Sequence, residues 1–440
     1  MLEIPALAKI LVIFALIVVA AARRIHLGLA AAVGGIALAI WQGMPVSAIA
    51  LAVAKELTNP DLILLVILLT GIMMFSAAMK KSGAMDAFSN AIAESAPSRR
   101  IALAVAPLLI GTLPMPGGAI ISAPLVGAMN DDDGRGPETL SAINYWFRHV
   151  LELVWPLFPA FILTVGLTNL SVMQLVLLNL YAPFAVFGLG LIFILPKNGK
   201  TAATMPASKT AVNTTFRDTA KFGRLVRGIA PLGMILGSYV VLDLIWELVA
   251  PGVALDAPTK SLIGRYVPVL CGLLIGSLYL RKNTKGEKIF KHSITASTIE
   301  LIAVIVGIRL FSALMSAADL AHAASMELAN AGIPAIFVIA LLPFISGIVT
   351  GVGMGYVGLS LPIVLGLLAS SDIPFKVGVV IAGAFGYSGM MLSPLHVCMV
   401  VTAQHFKTTL PATIRKFALP LGIFLVIAIA YTALLSVVLR

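Results

Sequence analysis

Charge is what this chain has least of. Only 11% of its 440 residues are Asp, Glu, Lys or Arg, while 60% are hydrophobic. Long apolar runs almost free of charge follow one another, a pattern that excludes an ordinary soluble core and indicates helices in a bilayer. Cysteine is scarce as well. Cys271 and Cys398 stand alone in apolar runs, which excludes a disulfide framework and offers no metal-ligand spacing. Both read as packing residues, and neither a metal nor a cofactor is expected. There is no HExxH, no paired intramembrane Asp and no nucleophile elbow, so the enzyme class lacks its motifs. Acidic residues number 19 against 30 Lys and Arg, a net charge of +11. In a soluble protein that balance would suggest nucleic acid. Beside membrane helices, basic loops have a simpler origin in the positive-inside rule, and nothing here reads as nucleic-acid binding.

What the chain does contain is a repeat. Gly71-Ile72-Met73-Met74-Phe75-Ser76-Ala77-Ala78-Met79 returns 236 residues later as Gly307-Ile308-Arg309-Leu310-Phe311-Ser312-Ala313-Leu314-Met315, with six of nine positions identical. Pro107 and Gly111 answer Pro343 and Gly347. After a two-residue shift Pro124, Phe147, Pro156, Leu157 and Thr164 answer Pro362, Phe385, Pro394, Leu395 and Thr402. Self-similarity at a fixed offset means duplication. Two copied halves of an apolar chain point to a transporter with its site between them.

Apolar runs give spans near 6-22, 26-41, 61-79, 141-167 and 171-195, then near 229-250, 262-280, 293-315, 375-403 and 414-438. The first lacks a basic leader and precedes Arg23-Arg24, so it is expected to remain as an anchor. Residues 46-58 are short and apolar, an interfacial helix or a loop packed on the scaffold. Between the third and fourth spans of each half lies a Gly- and Pro-rich apolar segment, 101-129 and 335-368. Each is a re-entrant hairpin candidate, since irregular backbone at depth needs protein or a cavity around it. With the first helix running outside to inside, the inner segments hold 22 Lys and Arg and the outer segments six. The imbalance supports that threading, and five spans per half then invert the second copy relative to the first. The expected architecture is an all-α polytopic protein of the cytoplasmic (inner) membrane. A first inverted repeat (1-195, hairpin 101-129, broken helix 141-167) joins a basic cytoplasmic connector (196-227). A second repeat (228-440, hairpin 335-368, broken helix 375-403) follows. Asp131-Asp132-Asp133 reads as a solvated turn.

Within the first hairpin, Pro114 and Pro116 remove backbone donors, and Gly117 and Gly118 admit close backbone approach. A helix restarting there aims free amides at an anion. Thr112 and Ser122 flank the break. The second hairpin carries Ser346, Thr350, Gly351 and Gly353, with Ser360 equivalent to Ser122; close packing of small residues is the competing reading. Pro156 and Pro394 break the fourth span of each half, and Ser388 and Ser393 offer hydroxyls at the second break. Asn144, Arg148, Glu152 and Trp155 are spaced to share a helix face. Arg148 is placed to receive a carboxylate, and Glu152 and His149 to carry a coupling proton. A structural Arg148–Glu152 pair is the alternative. Arg309 replaces Met73 within the repeated block and needs a partner: a solute anion, or a carboxylate on another helix. Tyr387 adds a hydroxyl, and His396 is a weaker candidate.

Inverted five-span halves, each with a hairpin and a proline-broken helix, resemble the ion-transporter superfamily of gluconate permeases, citrate carriers, divalent-anion:sodium symporters and arsenite permeases. Within it the chain is similar to an uncharacterised prokaryotic integral-membrane family through Pro114-Met115-Pro116-Gly117-Gly118-Ala119, Asn144-Tyr145-Trp146-Phe147-Arg148-His149 and Ser393-Pro394-Leu395-His396. The resemblance implies an elevator in which hairpins and broken helices carry solute past a homodimeric scaffold. The Ser-Asn-Thr tip motif of the divalent-anion carriers is missing, so a proton stands beside sodium as coupling ion. The expected function is secondary active transport of a small anionic solute, an organic carboxylate or an oxyanion. An anion channel or an intramembrane enzyme are the alternatives.

Overall fold

The computed structural model describes residues 4–84, 98–112, 118–130, 135–195, 219–284 and 288–439. Among these every regular element is a helix. The first half runs α1 (Ala6–Ala22), α2 (Leu27–Trp41), α3 (Val46–Leu57), α4 (Pro60–Lys81), α5 (Arg99–Gly111), α6 (Ala119–Ala128), α7 (Pro137–Arg148), α8 (Pro159–Thr168), α9 (Val172–Asn179) and α10 (Tyr181–Leu189), the last continuing into a π turn at Gly190–Ile194. The second runs α11 (Thr219–Val249), α12 (Ala257–Asn283), α13 (Ala296–Ala317), α14 (Leu320–Asn330), α15 (Ala335–Thr350), α16 (Gly353–Ala369), α17 (Phe375–Leu392), α18 (Val397–His405) and α19 (Leu410–Val438).

Local chemistry sets several boundaries. Asn59 caps α4 by accepting from Asp61 N, with Pro60 at the first helical position, where its missing donor costs nothing. Ser171 and Gln174 form a capping box on α9, satisfying two orphan amides reciprocally. Asp256 caps α12 and Thr409 caps α19. Gly351 closes α15 in the left-handed region at φ 63; a side chain is strained there, and a Cβ would also lie 2.7 Å from the His396 nitrogen.

Among the described residues six helical spans are long and apolar enough to cross a membrane, with α17 and α18 together as one of them, or seven if the α8–α9 pair, bent by 110°, also counts as one span. Their outer faces carry Leu248, Leu274, Ile299 and Val438 more than half exposed. Such a surface is costly in water and ordinary against acyl chains. This is a multi-pass membrane protein. Where α2 and α13 cross, a Cβ on Gly28 or Gly307 would collide with the partner backbone, so the glycine of the second repeated block serves close helix approach. In α7 every residue from Leu140 to Arg148 is buried, as expected of a helix surrounded on all sides, and Trp146 Nε1 is satisfied by the Val186 carbonyl at 2.9 Å.

The structure adds detail to several expectations. The run 141-167 is two helices, because α7 ends at Arg148 and α8 begins only at Pro159. The run 171-195 likewise divides at Leu180. Residues 46-58 are helical, and 320–330 form a helix that the apolar runs did not announce. The hairpin 335-368 is a pair of helices, α15 and α16, joined through Gly351 and packed on each other. Pro114, Pro116, Gly117, Asp131-Asp132-Asp133 and connector residues 196–218 lie outside the described residues.

Candidate solute cleft at two helix breaks

The first break spans residues 149–158, wider than Pro156 alone requires. Pro159 opens α8 at its first position, and Trp155 Nε1 donates to the Thr112 carbonyl at 2.6 Å, pinning the break to the end of α5. The second break is short. Ser393, before Pro394, is extended at ψ 125, as a residue preceding proline must be. Its hydroxyl donates to the Ile348 carbonyl at 2.6 Å and accepts from Leu395 N at 3.2 Å, tying this break to α15. Tyr145 joins the two breaks: its hydroxyl donates to the Met391 carbonyl at 3.2 Å and lies 3.0 Å from His396 Nδ1.

Between the breaks opens a cleft of about 300 Å³ lined by Gly111, Arg148, His149 and Glu152 from the first half and by Gly353 and Cys398 from the second. Arg148 is 6% exposed, and among the described residues its Nη1 has no hydrogen-bond partner. A Cβ on Gly118 would strike Arg148 Nη2, and one on Gly111 would strike the Arg148 carbonyl. These two glycines therefore make room for the arginine. The four-residue face expected of Asn144, Arg148, Glu152 and Trp155 holds only for the first two, because the helix ends at Arg148. No ion pair joins Arg148 to Glu152 among the described residues. A buried guanidinium with an orphan donor costs several kcal/mol unless an anion completes it.

Glu152 also lines a second cavity of about 30 Å³, together with Thr164, Asn179, Tyr356 and Ser360. That space suits about one water molecule.

The chain matches the family described as "Protein of unknown function (DUF401)" over residues 6–249 and 262–436. It belongs to the DUF401 family. Among solved structures the DUF401 chain is similar to the Alcanivorax borkumensis YdaH transporter, a crystal structure of unusual topology, with a TM-score of 0.56, 16% identity and 84% of each chain covered. At that identity the likeness is one of fold. No curated protein matches the sequence.

The DUF401 fold gathers Arg148, Glu152, His149 and Gly353 in one cleft and leaves other expected residues outside its lining. The hydroxyls of Thr112, Ser346, Thr350 and Ser388 donate to their own helices, at 2.6, 2.7, 2.7 and 2.8 Å. Ser360 donates to the Tyr356 carbonyl, and Ser122 to the Gly118 carbonyl at 3.4 Å. Their hydrogens are committed and their lone pairs remain, so in this conformation they serve an anion poorly. Asn144 donates to Thr402 Oγ1 at 2.9 Å, while its Oδ1 is unpartnered.

Arg309 lies elsewhere. Its Nε is 2.6 Å from Glu56, and its Nη1 is 3.1 Å from Asp61 Oδ2 and 2.7 Å from the Gly166 carbonyl. Asp61 in turn pairs with Arg265 at 2.5 Å. Two carboxylates and two guanidinium groups thus neutralise one another across α3, α4, α12 and α13. This is the tertiary ion pair that stood as the alternative to a solute site. Its repeat counterpart Met73 lines the cleft instead. Cys398, read as packing, also lines the cleft, and His396 stands beside it. Sequence offered a weak signal for both, since His396-Val397-Cys398 follows directly on the Pro394 break.

Proposed function

We propose that this protein is a secondary active transporter of a small anionic solute, an organic carboxylate or an oxyanion, in the cytoplasmic membrane, and a member of the ion-transporter superfamily. One observation carries the reading: a buried arginine with an unpartnered donor lines a cleft of about 300 Å³ where two interrupted helices meet. Broken helices at a repeat interface are how membrane carriers place polar groups at mid-depth. The matched positions of Pro156 and Pro394 support two inverted halves, divided at 196-227. In this reading hairpins 101-129 and 335-368 move with both breaks past the remaining helices of a homodimer. Glu152, shared by the cleft and the smaller cavity, and His149 are positioned to relay a coupling proton, with sodium as the other candidate ion.

The reading is tested in proteoliposomes with labelled mono-, di- and tricarboxylates and oxyanions, under imposed proton or sodium gradients. Saturable, temperature-sensitive uptake of one class supports it. Unsaturable conductance under voltage would make the protein a channel, and chemical conversion of a solute would make it an enzyme.

A further inference from the structure

The cleft also holds a set of groups that anion binding does not use. One nitrogen each of His149 and His396 and the sulfur of Cys398 all lie within 4.8 Å of one another. His149 and Cys398 line the cleft, and all three side chains are buried or nearly so. The two imidazole rings meet edge-on, with centroids 4.7 Å apart.

Their hydrogen bonds fix which nitrogen is available. His149 Nδ1 lies 2.8 Å from the Tyr145 carbonyl, which can only accept, so Nδ1 carries the proton and Nε2 the lone pair. Tyr145 spends its hydroxyl hydrogen on the Met391 carbonyl at 3.2 Å. Its oxygen then accepts from His396 Nδ1 at 3.0 Å, and the Met390 carbonyl at 3.4 Å holds the same nitrogen. Both rings are thereby set in the tautomer that leaves Nε2 free. Outer hydrogen bonds of this kind orient histidines that ligate metals.

We propose that His149, His396 and Cys398 form a binding site for a borderline transition-metal ion of the Zn²⁺ class at the junction of the two helix breaks. Two imidazoles and a thiolate suit such an ion and not Mg²⁺ or Ca²⁺, which take oxygen ligands. Three protein ligands leave one coordination position open, and here it would face the cleft. The charges permit a cation beside Arg148. With Cys398 as thiolate and Glu152 ionised, the cleft wall carries two negative charges against one positive, and a divalent ion leaves a single positive charge for an anion to neutralise.

The test uses untagged protein carrying Cys271→Ser, stripped with a chelator and titrated in detergent with Co²⁺ and then Zn²⁺. One Co²⁺ per chain should bind and produce a thiolate-to-cobalt charge-transfer band that Zn²⁺ abolishes and Mg²⁺ does not. Cys398→Ala should remove the band, and His396→Ala should weaken binding by at least about tenfold, on the scale set by disturbing metal-ligand shells. Zn²⁺ should also slow maleimide labelling of Cys398 in the otherwise unaltered protein, a readout that needs no folded variant. No saturable one-to-one binding, a band that survives Cys398→Ala, or labelling unaffected by Zn²⁺ overturns the site. Binding is read without any gradient, so failed transport leaves this result standing, and a missing metal leaves the transport reading standing.

Discussion

Replacing Arg309 with Met, the residue at the equivalent repeat position, separates a structural arginine from a solute-binding one. In the structure Arg309 is 11% exposed and contacts Glu56 at 2.6 Å, Asp61 at 3.1 Å and the Gly166 carbonyl at 2.7 Å. The Asp61 contact lacks hydrogen-bond geometry, so its attraction is mainly Coulombic, and Asp61 keeps Arg265 when Arg309 is lost. Among the described residues Glu56 keeps no cation: its other oxygen accepts from Asn59 Nδ2 at 3.3 Å. The damage is therefore one uncompensated carboxylate at 11% exposure, which costs about 3–5 kcal/mol by analogy with broken buried pairs. Adding Glu56→Gln removes that charge and should recover about half of the loss, with a coupling energy of roughly 2–3 kcal/mol. The assay is denaturant or thermal unfolding of both single variants and the double variant in detergent, followed by solute uptake by whatever protein remains folded. Arg309 is not part of the cleft lining, so folded Arg309→Met should transport normally. Unchanged stability together with abolished uptake would refute the assignment and return Arg309 to the solute site.

Gly118→Ala places a methyl group on the Arg148 guanidinium; it should weaken anion binding at least about tenfold, a 1.4 kcal/mol loss, while the melting temperature stays near that of the parent. Gly351→Ala meets both a positive φ of 63 and the His396 backbone nitrogen, and should lower stability by about 1–2 kcal/mol in the same unfolding assay. Asp256, in the loop before α12, is held below the usual carboxylate range by hydrogen bonds from Thr259. Because the folded value is the lower one, its contribution is complete above the ordinary Asp range and disappears as pH falls through the lowered value. Amide exchange at Thr259 should accelerate only below that range, and Asp256→Asn should remove the pH dependence.

Composition made the helical membrane fold legible, because runs such as 61-79 and 414-438 have no other stable environment. Pro156 and Pro394 marked the breaks, since proline removes a donor whatever surrounds it. The width of the first break was not legible: nothing at His149 itself stops a helix, and the stop comes from the packing that seats Arg148 against Gly111 and Gly118. Arg309 announced a need for a partner, but Glu56, Asp61 and Arg265 lie on three other helices, and tertiary packing alone brings them together. The same holds for Cys398. It is an isolated thiol in sequence and acquires two imidazole neighbours only when the breaks meet. The hydroxyls misled for a local reason, as serine and threonine in apolar helices give their hydrogens to the carbonyl one turn earlier.

The central claim rests on the unpartnered donor of Arg148, and the most direct measurement compares solute binding and uptake by the parent protein with those of Arg148→Gln and Arg148→Lys. A carboxylate or oxyanion should raise the parent's melting temperature with concentration and enter proteoliposomes saturably. Arg148→Gln should lose roughly 2–5 kcal/mol of binding, about thirtyfold or more, with its solute-free melting temperature at or above the parent's because the uncompensated buried charge is gone, and Arg148→Lys should retain part of the affinity because it keeps the charge without the fork. Parent-level binding and uptake in Arg148→Gln would contradict the account.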